Sequence, residues 1–546
     1  MVTALNPSPL KPTALRTLLA GLLLACGLQA QANEPLTITI ARGDTLIKLC
    51  ERYLREPGQW PQIKRLNRIA KDTRLQPGFS LRIPFALLRW TERSAEVVHV
   101  QGVVTGLLSG TTSLLSPGLQ LKAGDKFDTG TAGTLTLRLP DGATVVFPPH
   151  TQAGLGVSRE VSGTAVRATA IDLQTGAADS TVPSLKDPAS RFEIRTPRVV
   201  TAVRGTRFRV AAEGDTSHHE VLSGVVAVDG ASGHASLQPA QGLRADGGQL
   251  GTVVPLLPAA DLSALPQRIE RIAQNLSLPP LADAVAWRWQ VADDAGFVRL
   301  LQDARTTGPN WLLQGLPDAD YFVRVRAIDA QGLEGLEAQK AFALRARPEP
   351  PVLMSPGPGA SVARPSELVW TQLAKAPAYR VQVARDGQFA DLLVDRADAQ
   401  GDNNNRLAMD PAWGPGTYHW RVATLRPDGS HGPFGDPASF TVLAPSVMAA
   451  PAVSENSVQL AWSGPAGFRH RVQVAPTEDF AQPEYDEQVP GARLDLPTPA
   501  AGVHFVRTQV VLPDGSAGSW SDAQHFEVPR KPQYGWWLLL LLAPAL

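Results

Sequence analysis

Arg195, Arg198, Arg204, Arg207 and Arg209 crowd one short stretch of the chain. Guanidinium groups offer a fixed fork of donors to carboxylates and phosphates, so Arg198, Arg204 and Arg207 are candidates for an anion-binding or partner-binding surface. The plainer reading is that alternate arginines project from one solvated strand face and Arg204 braces a turn at Gly205. Groups that could do covalent or metal chemistry are sparse. Of the two cysteines, Cys26 and Cys50, the first falls in a segment that reads as an export signal, leaving at most one thiol in a mature chain. One cysteine allows no internal disulfide, zinc knuckle or redox pair. Cys50 sits among Leu46, Ile47 and Leu49 with no neighbouring histidine to activate it. His218 and His219 are adjacent and lack the helical His-x-x-x-His spacing of a metal site. No catalytic, metal or cofactor residue is expected, and the chain is expected not to be an enzyme.

The elements that carry these residues are mostly strands. The chain has 546 residues, a length that suits about three to five domains. Lys plus Arg and Asp plus Glu both number 51, so no global field draws it to nucleic acid. With 47 glycines and 47 prolines, the composition favours many short strands joined by tight turns. No helical or α/β segment is evident that could hold two carboxylates across a glycosidase cleft.

Both ends are apolar. Lys11 and Arg16, the run Leu18 to Leu24 and then Ala30-Gln31-Ala32 have the order of a signal peptide, residues 1–32, with cleavage before Asn33. Leu23-Leu24-Ala25-Cys26 also resembles a bacterial lipobox, which would make Cys26 a lipidated cysteine. An exported protein, periplasmic or associated with the outer membrane, is expected. The tail 534–546, with Trp536, Trp537 and Leu538 to Leu542, is too short for a spanning helix and suits contact with a membrane surface.

Between these ends the first 50 residues read as strand, helix, helix, strand. Leu36-Thr37-Ile38-Thr39-Ile40 alternates as a half-buried strand does. Asp44 or Thr45 is placed to cap a helix whose apolar face is Leu46, Leu49, Cys50 and Tyr53. A second helix runs from Trp60 through Ile63 to Asn67, and Pro77-Gly78 turns into the strand Leu81-Arg82-Ile83-Pro84. Gly43-Asp44-Thr45-Leu46, Trp60-x-x-Ile63-x-x-x-Asn67, Pro77-Gly78 and Leu81-x-Ile83-Pro84, in this order, resemble a LysM module over residues 36–86. The resemblance implies a groove for N-acetylglucosamine-containing glycans, chiefly peptidoglycan. Its walls would be Gly43, Asp44, Thr45 and Leu46 on one side and Leu75, Gln76, Pro77 and Gly78 on the other. The plainer reading is that Asp44 and Thr45 only cap and Pro77-Gly78 only turn, and both can hold at once. Arg55-Glu56-Pro57-Gly58 is an insertion before Trp60.

Residues 95–250 read as an all-β roll or sandwich, with Thr134 to Leu139, the hairpin signal Asp141-Gly142 and Ala143 to Phe147 as one pair of strands. Thr196-Pro197, then Val203-Arg204-Gly205-Thr206 leading into Arg207 to Val210, resembles the signature of the FecR domain family. Members named for that domain pass a signal from the envelope to a cytoplasmic sigma factor. This chain shows no cytoplasmic N-terminal domain or spanning helix before the module, so the resemblance implies only a periplasmic sensing or interaction domain.

Three β-sandwich repeats follow, at 261–345, 350–443 and 447–528. Tyr379 to Ala384 matches His470 to Ala475 at an offset of 470 − 379 = 91 residues, and Trp289 to Ala292 begins a weaker first copy. A buried tryptophan on an early strand and a late Tyr-x-x-Arg-Val strand resemble fibronectin type III or immunoglobulin-like sandwiches. Asp261 to Asn275 has helical spacing and is read as a linking helix. The expected fold class is multidomain and mainly β: a small βααβ LysM-like module, a FecR-like roll or sandwich, then three sandwich repeats. The expected function is a non-catalytic envelope protein that binds peptidoglycan and uses its other modules as interaction or scaffold domains. It would meet an envelope or membrane protein partner and no nucleic acid. The alternatives are the periplasmic sensing part of a transmembrane signalling system, and a surface adhesin.

Overall fold

The computed structural model describes residues 35–70, 75–363, 367–374, 376, 378–397 and 405–530. The signal segment with Cys26 and the tail 534–546 lie outside the described residues. Among the described residues no helix is long and apolar enough to cross a membrane. The chain divides into two compact units. The first takes in the residues up to 269 together with 273–344, and the second 270–272 and 345 onward.

The first unit opens with strand Leu36–Thr39 paired antiparallel to Ser80–Ile83, Leu36 opposite Ile83. Helix Leu46–Tyr53 starts where the Thr45 hydroxyl accepts the Lys48 N–H at 3.2 Å, and Leu54 ends it in extended backbone. Thr45 is thus the cap. Asp44 instead folds back to accept the Ala41 N–H at 2.8 Å. The Arg55–Gly58 insertion forms a single turn of 3-10 helix, Pro57–Gln59, leading straight into helix Trp60–Leu66. Leu46, Leu49, Cys50, Ile63, Leu81 and Ile83 are buried in one core, which also takes in Val161, Val166 and Ala189 from the next domain. Each such aliphatic side chain contributes about 1.5–3 kcal/mol by leaving water, so the small module gains part of its core from its neighbour.

That neighbour is built from two sheets enclosing a core that includes Phe127, Leu137, Phe147, Ile171, Phe192, Phe208 and Leu243. The long strand Arg167–Thr181 belongs to both. Its first part pairs with Gln152–Glu160 and, in parallel, with Arg191–Arg195. Its second part pairs with Thr144–Phe147 and Arg207–Glu213. The crossing falls at Gly176, with φ +90°, where a Cβ would lie 2.5 Å from the Thr151 backbone. Only glycine allows both the backbone angle and the close approach.

The first sandwich repeat completes this unit. Its larger sheet runs Arg268–Ile269, Ala338–Leu344, Ala319–Ile328, Ala286–Ala292, Leu300–Thr306, and Ala273–Ser277 pairs with Asn310–Gln314. The helix expected over 261–275 is absent. Pro266 interrupts the helical spacing, and the segment forms Arg268–Ile269 and Ala273–Ser277 instead, tied by Lys340 Nζ to the carbonyls of Leu262, Ser263 and Leu265. The second unit holds the other two repeats, cored by Trp370, Tyr379, Trp420 and Phe440 in one and by Trp462, Val472 and Phe526 in the other. All three repeats share a late-strand corner bond to a carbonyl four residues back: Tyr321 to Pro317 at 2.8 Å, Tyr418 to Gly414 at 2.7 Å, and His504 to Ala500 at 2.7 Å.

Candidate functional site

The loop after the first strand and the loop before the last strand of the small module are bonded to each other. Gly78 N–H donates to the Ile40 carbonyl at 2.9 Å, and Ile40 N–H donates to the Phe79 carbonyl at 2.9 Å. These bonds set Gly43–Leu46 and Leu75–Gly78 at one end of the module. Gly43 and Gly78 hold φ values of +94° and +87° with open space where a Cβ would project. Gln76, Pro77 and Gly78 are exposed, Asp44, Thr45 and Leu75 half-buried, and Leu46 is in the core. Leu46 therefore packs behind the first loop and is not part of its exposed surface. Asn67 has an architectural part: its amide donates to the carbonyls of Ile63 and Arg82 at 2.9 and 2.8 Å and accepts the Arg82 N–H at 2.7 Å. Cys50 is fully buried, and burial pushes its thiol up to about 11.

The arginine cluster does not form one surface. Arg195 pairs with Glu193 at 2.7 Å in a half-buried pair, and Arg198 with Asp215 at 3.1 Å in an exposed one. Arg204 flanks Gly205, whose φ is +105° and whose Cβ would lie 2.6 Å from Ser184 Cα. Arg207 and Arg209 run the other way, into the first sandwich repeat. Arg207 meets Glu337 at 2.6 Å, and Arg209 pairs with Glu220 at 3.5 Å and donates to the Gly335 carbonyl at 2.9 Å. Alternate arginines on one solvated face is therefore the wrong picture for the last two. His219 is buried between Ser217 and Thr201 and held neutral, burial taking it down to about 3, while His218 Nε2 bonds the Gln331 carbonyl.

Sequence reasoning missed a buried network of charges, because its members come from segments far apart in the chain. Arg326 bonds Asp179 at 2.6 Å and Glu334 at 2.7 Å. Arg288 bonds Glu334 at 2.6 Å and Asp303 at 3.0 Å, and Arg324 reaches Asp179 at 3.3 Å. Burial alone would raise Asp179, yet Arg326 and Arg324 hold it down to about 2. Burial pushes Glu220 up to about 7, against the pull of Arg209. Also unforeseen is an open cleft of about 510 Å³ on the same domain, with Thr105, Lys126, Asp128, Gln152, Asp172 and Gln174 among its lining residues. Among the described residues no group of histidine, cysteine and carboxylate side chains is arranged to hold a metal ion.

Residues 38–84 match the LysM domain model. Residues 125–227 match the model of FecR protein. No curated protein is similar enough to match. Among solved structures, a protein described as an anti-sigma factor candidate from Parabacteroides distasonis is 21% identical. It covers 24% of this chain, which spans 57% of that one, at a TM-score of 0.20. The FN1–FN3 domains of chicken CNTN1 are 14% identical, covering 48% of this chain and 96% of their own, at a TM-score of 0.21. The fibronectin(III)-like modules of Clostridium thermocellum CbhA are also 14% identical, over 33% of this chain and 94% of theirs, at a TM-score of 0.18. The two matched segments thus fall on the small N-terminal module and on the all-β domain that follows it, ahead of the three sandwich repeats.

Proposed function

We propose that this is a non-catalytic cell-envelope protein that grips peptidoglycan through the loops Gly43–Leu46 and Leu75–Gly78 of its LysM domain, with the FecR-like domain and sandwich repeats as interaction and scaffold modules. The observation that carries the reading is the LysM match over 38–84, together with two loops bonded into one exposed end. An N-acetyl group needs one donor, one acceptor and a small apolar surface, and turns rich in glycine and proline supply these from backbone and ring. Export to the periplasm or outer membrane belongs to the same proposal, as does a membrane protein partner.

Co-sedimentation with purified peptidoglycan sacculi tests it. Gln76 is exposed and its side chain holds no structural bond among the described hydrogen bonds, so Gln76→Trp adds bulk to one wall without touching the core. The unsubstituted protein should pellet with sacculi, and Gln76→Trp should stay in the supernatant with an unchanged circular dichroism spectrum. Failure of the unsubstituted protein to pellet would remove the glycan claim. The FecR match over 125–227 supports a second reading, a periplasmic sensing component. That reading expects in vivo cross-linking to recover an inner-membrane signalling protein.

A further inference from the structure

The three sandwich repeats carry the same polar frame on the same sheet face. An Arg-x-Gln on an early strand reaches an aspartate on the next: Arg288 to Asp303 at 3.0 Å, Arg380 to Asp395 at 2.7 Å, Arg471 to Asp486 at 2.6 Å. A late-strand arginine donates to that glutamine: Arg324 to Gln290, Arg421 to Gln382 and Arg507 to Gln473, at 2.9, 2.9 and 2.8 Å. The same arginine lies over a phenylalanine at 4.2, 4.0 and 4.1 Å. Each of those residues, Phe297, Phe389 and Phe480, has a positive φ, of 52°, 60° and 53°. So costly a backbone angle, kept three times, marks the frame as part of the repeat's own architecture.

What surrounds the frame differs. In the second and third repeats an aromatic ring closes over the arginine, Phe434 on Arg421 at 4.4 Å and Trp520 on Arg507 at 4.3 Å. In the first repeat no ring among the described residues takes that place. Glu334 and Glu337 come from the corresponding segment, and Arg326 stands two residues after Arg324, where the other repeats have Ala423 and Gln509. Two of these charges and one backbone group meet the FecR-like domain: Arg326 meets Asp179, Glu337 meets Arg207, and the Glu334 N–H donates to Glu220 at 3.1 Å. The contact continues beyond the charges. Thr134 and Thr136 hydroxyls donate to the Leu300 and Val298 carbonyls at 2.8 and 2.6 Å, and Val146 packs on Ala292, Phe297 and Leu300.

We propose that the first repeat is a dedicated docking partner of the FecR-like domain, that the two open and close as one cooperative unit, and that the second and third repeats lack the charges to replace it. Parting the faces would strand Arg326, which is 1% exposed, beside Glu334 with Asp179 left bare. A buried ion pair broken on one side costs far more than the intact pair contributes, so half-docked arrangements are disfavoured and the transition is all-or-none. The FecR-like face made by Asp179, Arg207, Arg209 and Glu220 is consequently occupied within the chain, and an outside partner would have to use another face.

Native-state hydrogen exchange on the full chain, read by mass spectrometry across a denaturant series below global unfolding, tests this. Peptides covering 207–223 and 319–328 should open at the same denaturant concentration with the same dependence, while 416–425 and 502–511 follow their own. Arg326→Ala, which installs the residue of the second repeat, should speed exchange about a hundredfold in both the 207–223 and 319–328 peptides. The 416–425 and 502–511 peptides should be unaffected. Separate openings of 207–223 and 319–328 in the unsubstituted protein would overturn the proposal without requiring any variant to fold. An Arg326→Ala effect confined to 319–328 would overturn it as well.

Discussion

Asn67 shows how one side chain can hold two elements of the small module together. Its three bonds tie the end of the second helix to Arg82 on the last strand. Asn67→Ala should therefore cost about 1–3 kcal/mol of stability and weaken sacculus binding, with thermal unfolding and co-sedimentation as the measurements. Cys50 gives a simpler expectation. A thiol pushed up to about 11 and fully buried stays unlabelled by maleimide at pH 7.5 until the protein is unfolded. Glu220 and His219 are neighbours with opposite pH signatures. Glu220 has a folded value near 7 against an ordinary 4.5, so it binds its proton more tightly when folded; the stability it gives below pH 4.5 is lost as pH rises toward 7. His219, near 3 against 6.5, contributes above pH 6.5 and loses that contribution as pH falls toward 3. Glu220→Gln removes the first term alone. The calorimetric transition of the variant should gain stability relative to that of the parent as pH rises from 4.5 to 7.

At the scale of elements, strand geometry depends on a few positions that tolerate no side chain. Gly176→Val places a side chain into the Thr151 backbone at the point where the long strand passes from one sheet to the other. It should destabilise the FecR-like domain by more than about 3 kcal/mol, read as a lowered denaturation midpoint. Elements were legible in the sequence where a local signal and a long-range one agreed. The LysM helices combine a cap at Thr45 with an apolar face of Leu46, Leu49, Cys50 and Tyr53, and both features appear in the fold. The 261–275 segment had a local signal only. Leu262, Leu265 and Ile269 are buried as a helical stripe would bury them, but by strand pairing and loop packing, with Pro266 between them. The arginines failed for a related reason. Alternation tells which residues share a strand face, and nothing local tells whether that face meets water or another domain. Arg207 and Arg209 needed Glu337 and Gly335, more than a hundred residues on, to be placed.

For the whole molecule, repeat counting and compactness divide the chain differently. The sequence groups the first sandwich with its two later copies, yet it belongs to the same compact unit as the FecR-like and LysM domains. A chain ending after residue 346 should keep the unfolding transition of that unit, whereas one ending after residue 256 should lose it, since Asp179, Arg209 and Val146 would lose what covers them. Calorimetry of the two truncations decides between these outcomes.

The rings of Phe434 and Trp520 also bear on what each repeat requires of its neighbours. Repeats that close their own polar frame, 470 − 379 = 91 residues apart, take no charge from the FecR-like domain and meet each other through apolar side chains, Ala363 and Leu443 of the second against Val510 and Leu512 of the third. Of two tandem copies of the first repeat, only one could dock on the FecR-like face, and the charges of the other would be left unmatched.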